Sequence, residues 1–145
     1  MYCYESIEDS EIMTVDRDSF LDILKKHPSQ KEGYFDYMVK NYTGVMIQLS
    51  ALEQSYAVDK ILMILYYMMV RHGVEKDSGE FWILMKMSQS TIAGLTGLTR
   101  ETVTSEMGKL KRQGIVRYDT KNFVIYKEAL KDRLGEETFL EVQFD

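Results

Sequence analysis

The sequence has one cysteine, one proline and two histidines in 145 residues. A lone thiol, Cys3, excludes a disulfide framework and any cysteine-rich zinc or iron–sulfur site, and it suits a reducing cytosol. One proline and nine glycines leave little room for linkers or low-complexity tracts, and no internal repeat is visible. His27 and His72 are too isolated to suggest a metal or haem site. There is no Cys/His pair, no Ser/His/Asp arrangement and no phosphate-binding glycine loop, so an enzyme is not expected. Asp16 and Asp18 stand where a helix would be capped and need no chemistry. Long apolar runs are also missing. The longest, Ile61–Val70, is about half a membrane span. The N-terminus is acidic and polar where a secretory signal would be apolar. Neither a membrane partner nor export is expected, which leaves the cytoplasm.

What is present fits one globular domain: 45% hydrophobic residues, 28% charged residues and a mass of 17.0 kDa. The net charge of −5 conceals a division. From Lys86 to Arg133 ten Lys/Arg stand against five Asp/Glu, whereas the rest carries eight against eighteen. A basic segment in an acidic protein is either a solvated face or a binding surface, and only its pattern can decide.

Tyr2–Ile7 and Glu11–Val15 read as two short strands, and Asp16 precedes a short helix with Phe20, Leu21, Ile23 and Leu24. Two strands make no stable sheet alone, so residues 1–27 read as the end of a larger β domain. Pro28 can open the next helix, over 28–55. There Phe35, Met38, Tyr42, Val45, Leu49, Leu52 and Tyr56 alternate at spacings of three and four. That heptad seam predicts a homodimer of helices, the alternative being a stripe packed on its own core. Gly44 within it costs about 1 kcal/mol of helix propensity and permits close approach. A second helix, about Tyr56–His72, is apolar nearly all round and therefore buried on several sides. Gly73 stops it, Glu75–Glu80 reads as a polar connection and Phe81–Met87 as a strand. Residues 136–145 form an acidic tail.

Residues 88–114 carry the functional pattern. Ser88 can cap a short helix bearing Ile92, Ala93 and Leu95, Gly97 supplies a positive-φ turn, and Thr99 caps a second helix with Glu101 and Thr102 in its first turn. On the second helix Val103, Met107 and Leu110 fall at i, i+4 and i+7, which leaves Arg100, Glu101, Thr104, Ser105, Lys109 and Arg112 outside. Two helices joined by a short glycine turn make a helix-turn-helix, whose second helix can enter the major groove of DNA. Ile115–Tyr118 and Phe123–Tyr126 flank Asp119-Thr-Lys-Asn122 as a hairpin, the expected place of a wing, and Lys127–Leu134 reads as a last helix. The predicted fold is mainly α with a small β part: a long dimerisation helix followed by a winged helix-turn-helix over 56–135.

The segment resembles the C-terminal domain of the Crp/Fnr family of bacterial transcription regulators, above all in Leu98-Thr-Arg-Glu-Thr-Val103 and Leu110-Lys-Arg-Gln-Gly-Ile115. The likeness is gap-free from Ser88 to about Val116, and Glu5–Leu24 is similar to the last strands and exit helix of that family's cyclic-nucleotide-binding-type β-roll. The resemblance implies a homodimer on double-stranded DNA, with RNA polymerase as a further candidate partner. It implies that Arg100 reads guanine and Glu101 accepts from cytosine, with Thr104 and Ser105 beside them. The family's usual second arginine is replaced by Ser105, so the usual half-site does not carry over. Ser88, Thr99, Thr102, Lys109, Arg112 and Lys121 are the candidate phosphate contacts. The family's effector pocket would lie upstream of Met1. The chain is therefore expected to be a fragment or short form, with no cofactor site of its own. A winged-helix module that docks a protein partner is the competing reading.

Overall fold

A computed structural model describes residues 9–77, 79–85, 87–120 and 122–135. The chain divides between Val39 and Lys40 into two compact units.

In the first unit, helix α1 (Arg17–Lys26) starts at Asp16, whose carboxylate accepts from the Ser19 amide at 2.9 Å. Lys25 and Lys26 in its last turn complement the helix C-terminus. Helix α2 (Pro28–Glu53) opens on Pro28, where a missing N–H costs nothing. Phe20 and Tyr34 meet edge to face with ring centres 5.0 Å apart. The strand expected at Glu11–Val15 is absent. Those residues belong to no helix or ladder, and Ile12, Met13 and Val15 are exposed. A strand needs a neighbour for its backbone groups, and the described residues provide none there. The strand expected at Tyr2–Ile7 lies outside the described residues, as does the acidic tail.

The second unit is built on helix α3 (Ala57–His72), in which Ile61–Tyr66, Met68 and Met69 are buried. Around it pack β1 (Gly73–Asp77), β2 (Glu80–Ile83), α4 (Gln89–Thr96), α5 (Arg100–Arg112) and α6 (Lys127–Leu134). Strands β3 (Val116–Tyr118) and β4 (Phe123–Tyr126) complete an antiparallel sheet ordered β1-β2-β4-β3. Glu75–Asp77, expected as a connection, belongs to strand β1. Its charged residues hide the alternation because β1 lies at the sheet's edge, with one neighbour and four exposed positions. The strand expected over Phe81–Met87 is shorter, since pairing with β4 runs only from Glu80 to Trp82.

Helix α2 reaches this core through Gly44, Ile47 and Ala51, which are buried. At about 100° per residue, Tyr42, Val45, Leu49 and Leu52 fall on the opposite side. All four are exposed, as are Phe35 and Met38 further up the helix. The core stripe and the heptad stripe are thus separate. The end of α2 is closed by Lys60, which donates to the Leu52 carbonyl at 3.1 Å, and by the Gln54 side chain on the Ser50 carbonyl at 3.1 Å. No helix among the described residues is long and apolar enough to cross a membrane.

Candidate nucleic-acid interface

Two helices and a hairpin build the site. Ser88 caps α4, its hydroxyl accepting from the Thr91 amide at 3.0 Å, and Thr99 caps α5 in the same way, accepting from Thr102 at 3.2 Å. In each cap the hydroxyl three residues on closes back onto the first, Ser88 to Thr91 at 2.8 Å and Thr99 to Thr102 at 3.0 Å. Thr91 was not singled out from the sequence, although the Ser-x-x-Thr spacing repeats in Thr-x-x-Thr. Each pair has two hydroxyl protons and needs one for the mutual bond. A hydroxyl donor therefore remains at the start of α4, the kind of group that meets a phosphate oxygen, whereas at the start of α5 the Thr99 hydroxyl also bonds the Glu101 carboxylate.

Only three residues, Gly97 to Thr99, join the helices. Gly97 has φ +67°, a left-handed conformation that side chains disfavour by about 1–2 kcal/mol. The buried Thr96 stabilises this turn: its hydroxyl donates to the Ile92 carbonyl at 2.8 Å and lies 3.4 Å from the Leu98 amide. Val103, Met107 and Leu110 are buried as their spacing demands. Helix α5 then closes in a Schellman motif, with Ile115 N–H on Leu110 O at 3.1 Å and Gly114 N–H on Lys111 O at 3.2 Å.

The outer side of α5 presents Arg100, Glu101, Thr104, Ser105, Lys109 and Arg112, all exposed. Glu101's own backbone N–H and the Thr99 hydroxyl hold its carboxyl below the usual value, with a smaller contribution from Arg100. Glu101 is thus an acceptor at neutral pH beside the cationic Arg100, a donor–acceptor pair on the first turn. Lys109 is less free than its spacing suggested, because Glu106 holds it at 2.6 Å. The Thr104 hydroxyl is engaged inside the protein, 2.7 Å from the Arg100 carbonyl and 2.6 Å from the side-chain oxygen of Gln89. Gln89, on the first turn of α4, escaped sequence reasoning because its partner is fifteen residues away.

The hairpin sits against α5. Lys111 donates to the Tyr118 carbonyl at 3.0 Å and places its ammonium 4.7 Å from the centre of that ring, while Tyr118 stacks on Phe123 at 5.8 Å. Asp119 shapes the tip, accepting from the Asn122 amide at 2.8 Å. Lys121, the candidate wing contact, lies outside the described residues. On the outer sheet face Trp82 is flanked by the Lys76 ammonium at 4.1 Å and the Arg117 guanidinium at 5.7 Å. Among the described residues no group of His, Cys, Asp and Glu could hold a metal ion.

Residues 59–133 match the family model of the Crp-like helix-turn-helix domain. A probable transcriptional activator of Rhizobium leguminosarum bv. viciae is 23% identical over 121 residues, which are 83% of this chain and 50% of that protein. Two solved structures of CprK complexed with OCPA superpose with TM-scores of 0.55 and 0.53 at 18% and 19% identity. They cover 82% and 80% of this chain, and 54% and 53% of theirs. The chain thus spans about half the length of the relatives it matches, and the structural likeness is one of fold.

Proposed function

Since the chain belongs to the Crp-like helix-turn-helix domain family of the Crp/Fnr regulators, we propose that it is a transcription regulator that reads a two-fold symmetric DNA site as a homodimer. The observation that carries this reading is the first turn of α5. It is capped by Thr99, backed by the buried Val103 and Met107, and presents Arg100 and an anionic Glu101 together on an exposed surface. Arg100 can pair bidentately with guanine O6 and N7, and Glu101 can accept from cytosine N4. Ser105, one turn on, offers a short hydroxyl where the family's second arginine would reach further. The capping hydroxyls of Ser88, Thr99 and Thr102, with Arg112 and Lys121, supply contacts to the phosphates.

Dimerisation uses the outer stripe of α2, Phe35, Met38, Tyr42, Val45, Leu49 and Leu52. A heptad stripe of this length, not needed by its own core, fits a second copy of the same helix. Two recognition helices related by a two-fold axis then meet half-sites about 34 Å apart. On this reading the chain works without a cofactor of its own.

The test is selection from a random duplex library over several rounds. Enrichment of an inverted repeat, with affinity falling steeply as salt rises, is the expected result. Salt-sensitive retention of all sequences alike would overturn specific reading.

A further inference from the structure

We propose that Arg71, through its bond to Asn41, is the positioning residue that sets which separation of half-sites the dimer accepts; the inference rests on the homodimeric DNA reading proposed above. The stripe of α2 offered to a second copy includes the exposed Tyr42, Val45, Leu49 and Leu52, whereas the recognition helix α5 packs on α3. Where each recognition helix stands relative to the two-fold axis is therefore decided where α2 meets α3. From Lys40 onward both helices belong to one compact unit.

The joint between them is narrow. Only Gln54 to Tyr56 connect the two helices, and α2 buries Gly44, Ile47 and Ala51 there. Beside the turn Lys60 reaches back to the Leu52 carbonyl at 3.1 Å, further along Tyr67 lies against Gly44, and at the far end Arg71 donates to the Asn41 side chain. Residue numbers rise along α3 as they fall along α2, so the two helices run back along each other as a hairpin. Of these contacts the Asn41–Arg71 bond lies farthest from the turn and has the most leverage on the angle between the helices. Ile47 and Ala51 join the hydrophobic core, and apolar contact has no preferred direction. The bond from a guanidinium to a carboxamide is directional and charge-assisted. Arginine can only donate, so Asn41 has to present its oxygen. Both residues are half-buried, and Cδ of Arg71 stands 3.6 Å from where a β-carbon on Gly44 would be.

The 16 residues of α3 span about 24 Å. A tilt of about 8° at one end moves the other by about 3.4 Å, the rise of one base pair. A dimer forced onto the wrong spacing has to tilt this joint and give up the bond.

The experiment uses the full chain and the half-site recovered by the duplex selection. Duplexes carry that half-site once, or twice as an inverted repeat at the selected spacing, or with one base pair added or removed. The expected result is that Asn41→Leu and Arg71→Met each lose about tenfold of the wild-type preference for the selected spacing, the worth of one hydrogen bond to a charged group. Both bind the single half-site as before. Asn41→Asp, which keeps the acceptor, keeps the preference, and the double variant loses no more than either single one. An unchanged spacing preference in both single variants would overturn the proposal. An equal loss at every spacing and on the single half-site would overturn it too, since the bond would then only hold the fold together, as would additive losses in the double variant. If the wild-type chain enriches no inverted repeat, the homodimeric reading fails first and this inference falls with it.

Discussion

The Tyr67 ring fills the space beside Gly44: a β-carbon on Gly44 would stand 3.1 Å from Tyr67 Cε2 and 3.6 Å from Arg71 Cδ. Helix α2 therefore lies close against α3 at this point, and Arg71 adds a hydrogen bond to the Asn41 side chain. Alanine at position 44 should be near neutral, since about 1 kcal/mol of regained helix propensity offsets a small shift of the ring. Leucine should force the helices apart at a cost of about 1–3 kcal/mol, read as a lower denaturation midpoint in urea.

The outer stripe of α2 gives a separate prediction. Val45 and Leu49 are 53% and 50% exposed and lie opposite the core stripe. Val45→Asp with Leu49→Asp should therefore yield a folded monomer, with helix content retained in circular dichroism and half the wild-type mass in sedimentation equilibrium. Affinity for an inverted repeat should fall much further than affinity for one half-site.

Arg100→Ala should weaken binding to the selected site by about 1–3 kcal/mol and relax one base position, because the lost contact is bidentate and faces a base edge. Competition titrations against single-position variants of the site measure both effects.

Gly97→Ala should lower stability by about 1–2 kcal/mol, because φ stays at +67° with a β-carbon added. Gly97→Asn should cost less, as asparagine tolerates that region better. Thermal melting of the two variants side by side tests the order.

The parts of this fold that the sequence made legible are those whose causes are local. Ser88 and Thr99 as caps, Gly97 in the turn, and Val103, Met107 and Leu110 on one face all follow from residues within a few positions of one another. Lys127–Leu134 was readable for the same reason. Strand β1 was not, because Val74-Glu-Lys-Asp77 carries an edge strand's charges and acquires its pairing from Phe81 and Trp82 across a turn. The sheet that joins β2 to β4 escaped for a similar reason, since those strands are far apart in the chain. In the candidate site the exposed face of α5 was legible, but the engagement of Thr104 by Gln89 and of Lys109 by Glu106 was not. Helical spacing says which side a residue occupies and is silent on which neighbour claims its polar atoms.

His72 sets a pH dependence. Partial burial, reinforced by the adjacent Arg71, holds its imidazole below the ordinary 6.5, against the pull of the carbonyls at the end of α3. The unfolded chain takes up the proton first as pH falls. The stability present above the ordinary value is thus lost progressively as pH drops through the lowered one, and below both it stays level. Melting temperature measured across this range should fall with acidification, and His72→Gln should flatten that part of the curve while leaving the neutral-pH value nearly unchanged.

Helix α2 carries two messages written in one phase. The residues that seat it on α3 and those of the opposite, exposed stripe are locked in angle by the helix itself, so neither stripe can drift without the other noticing. One residue inserted between Val45 and Ile47 would turn Tyr42 and Val45 by about 100° relative to Leu49 and Leu52, and Gly44 by as much relative to Ile47 and Ala51. Removal of a full seven residues would leave the stripes nearly in step and shorten only their overlap. Tolerance to length change in this helix should therefore follow a seven-residue rhythm, a constraint on its evolution that acts on register and not on composition.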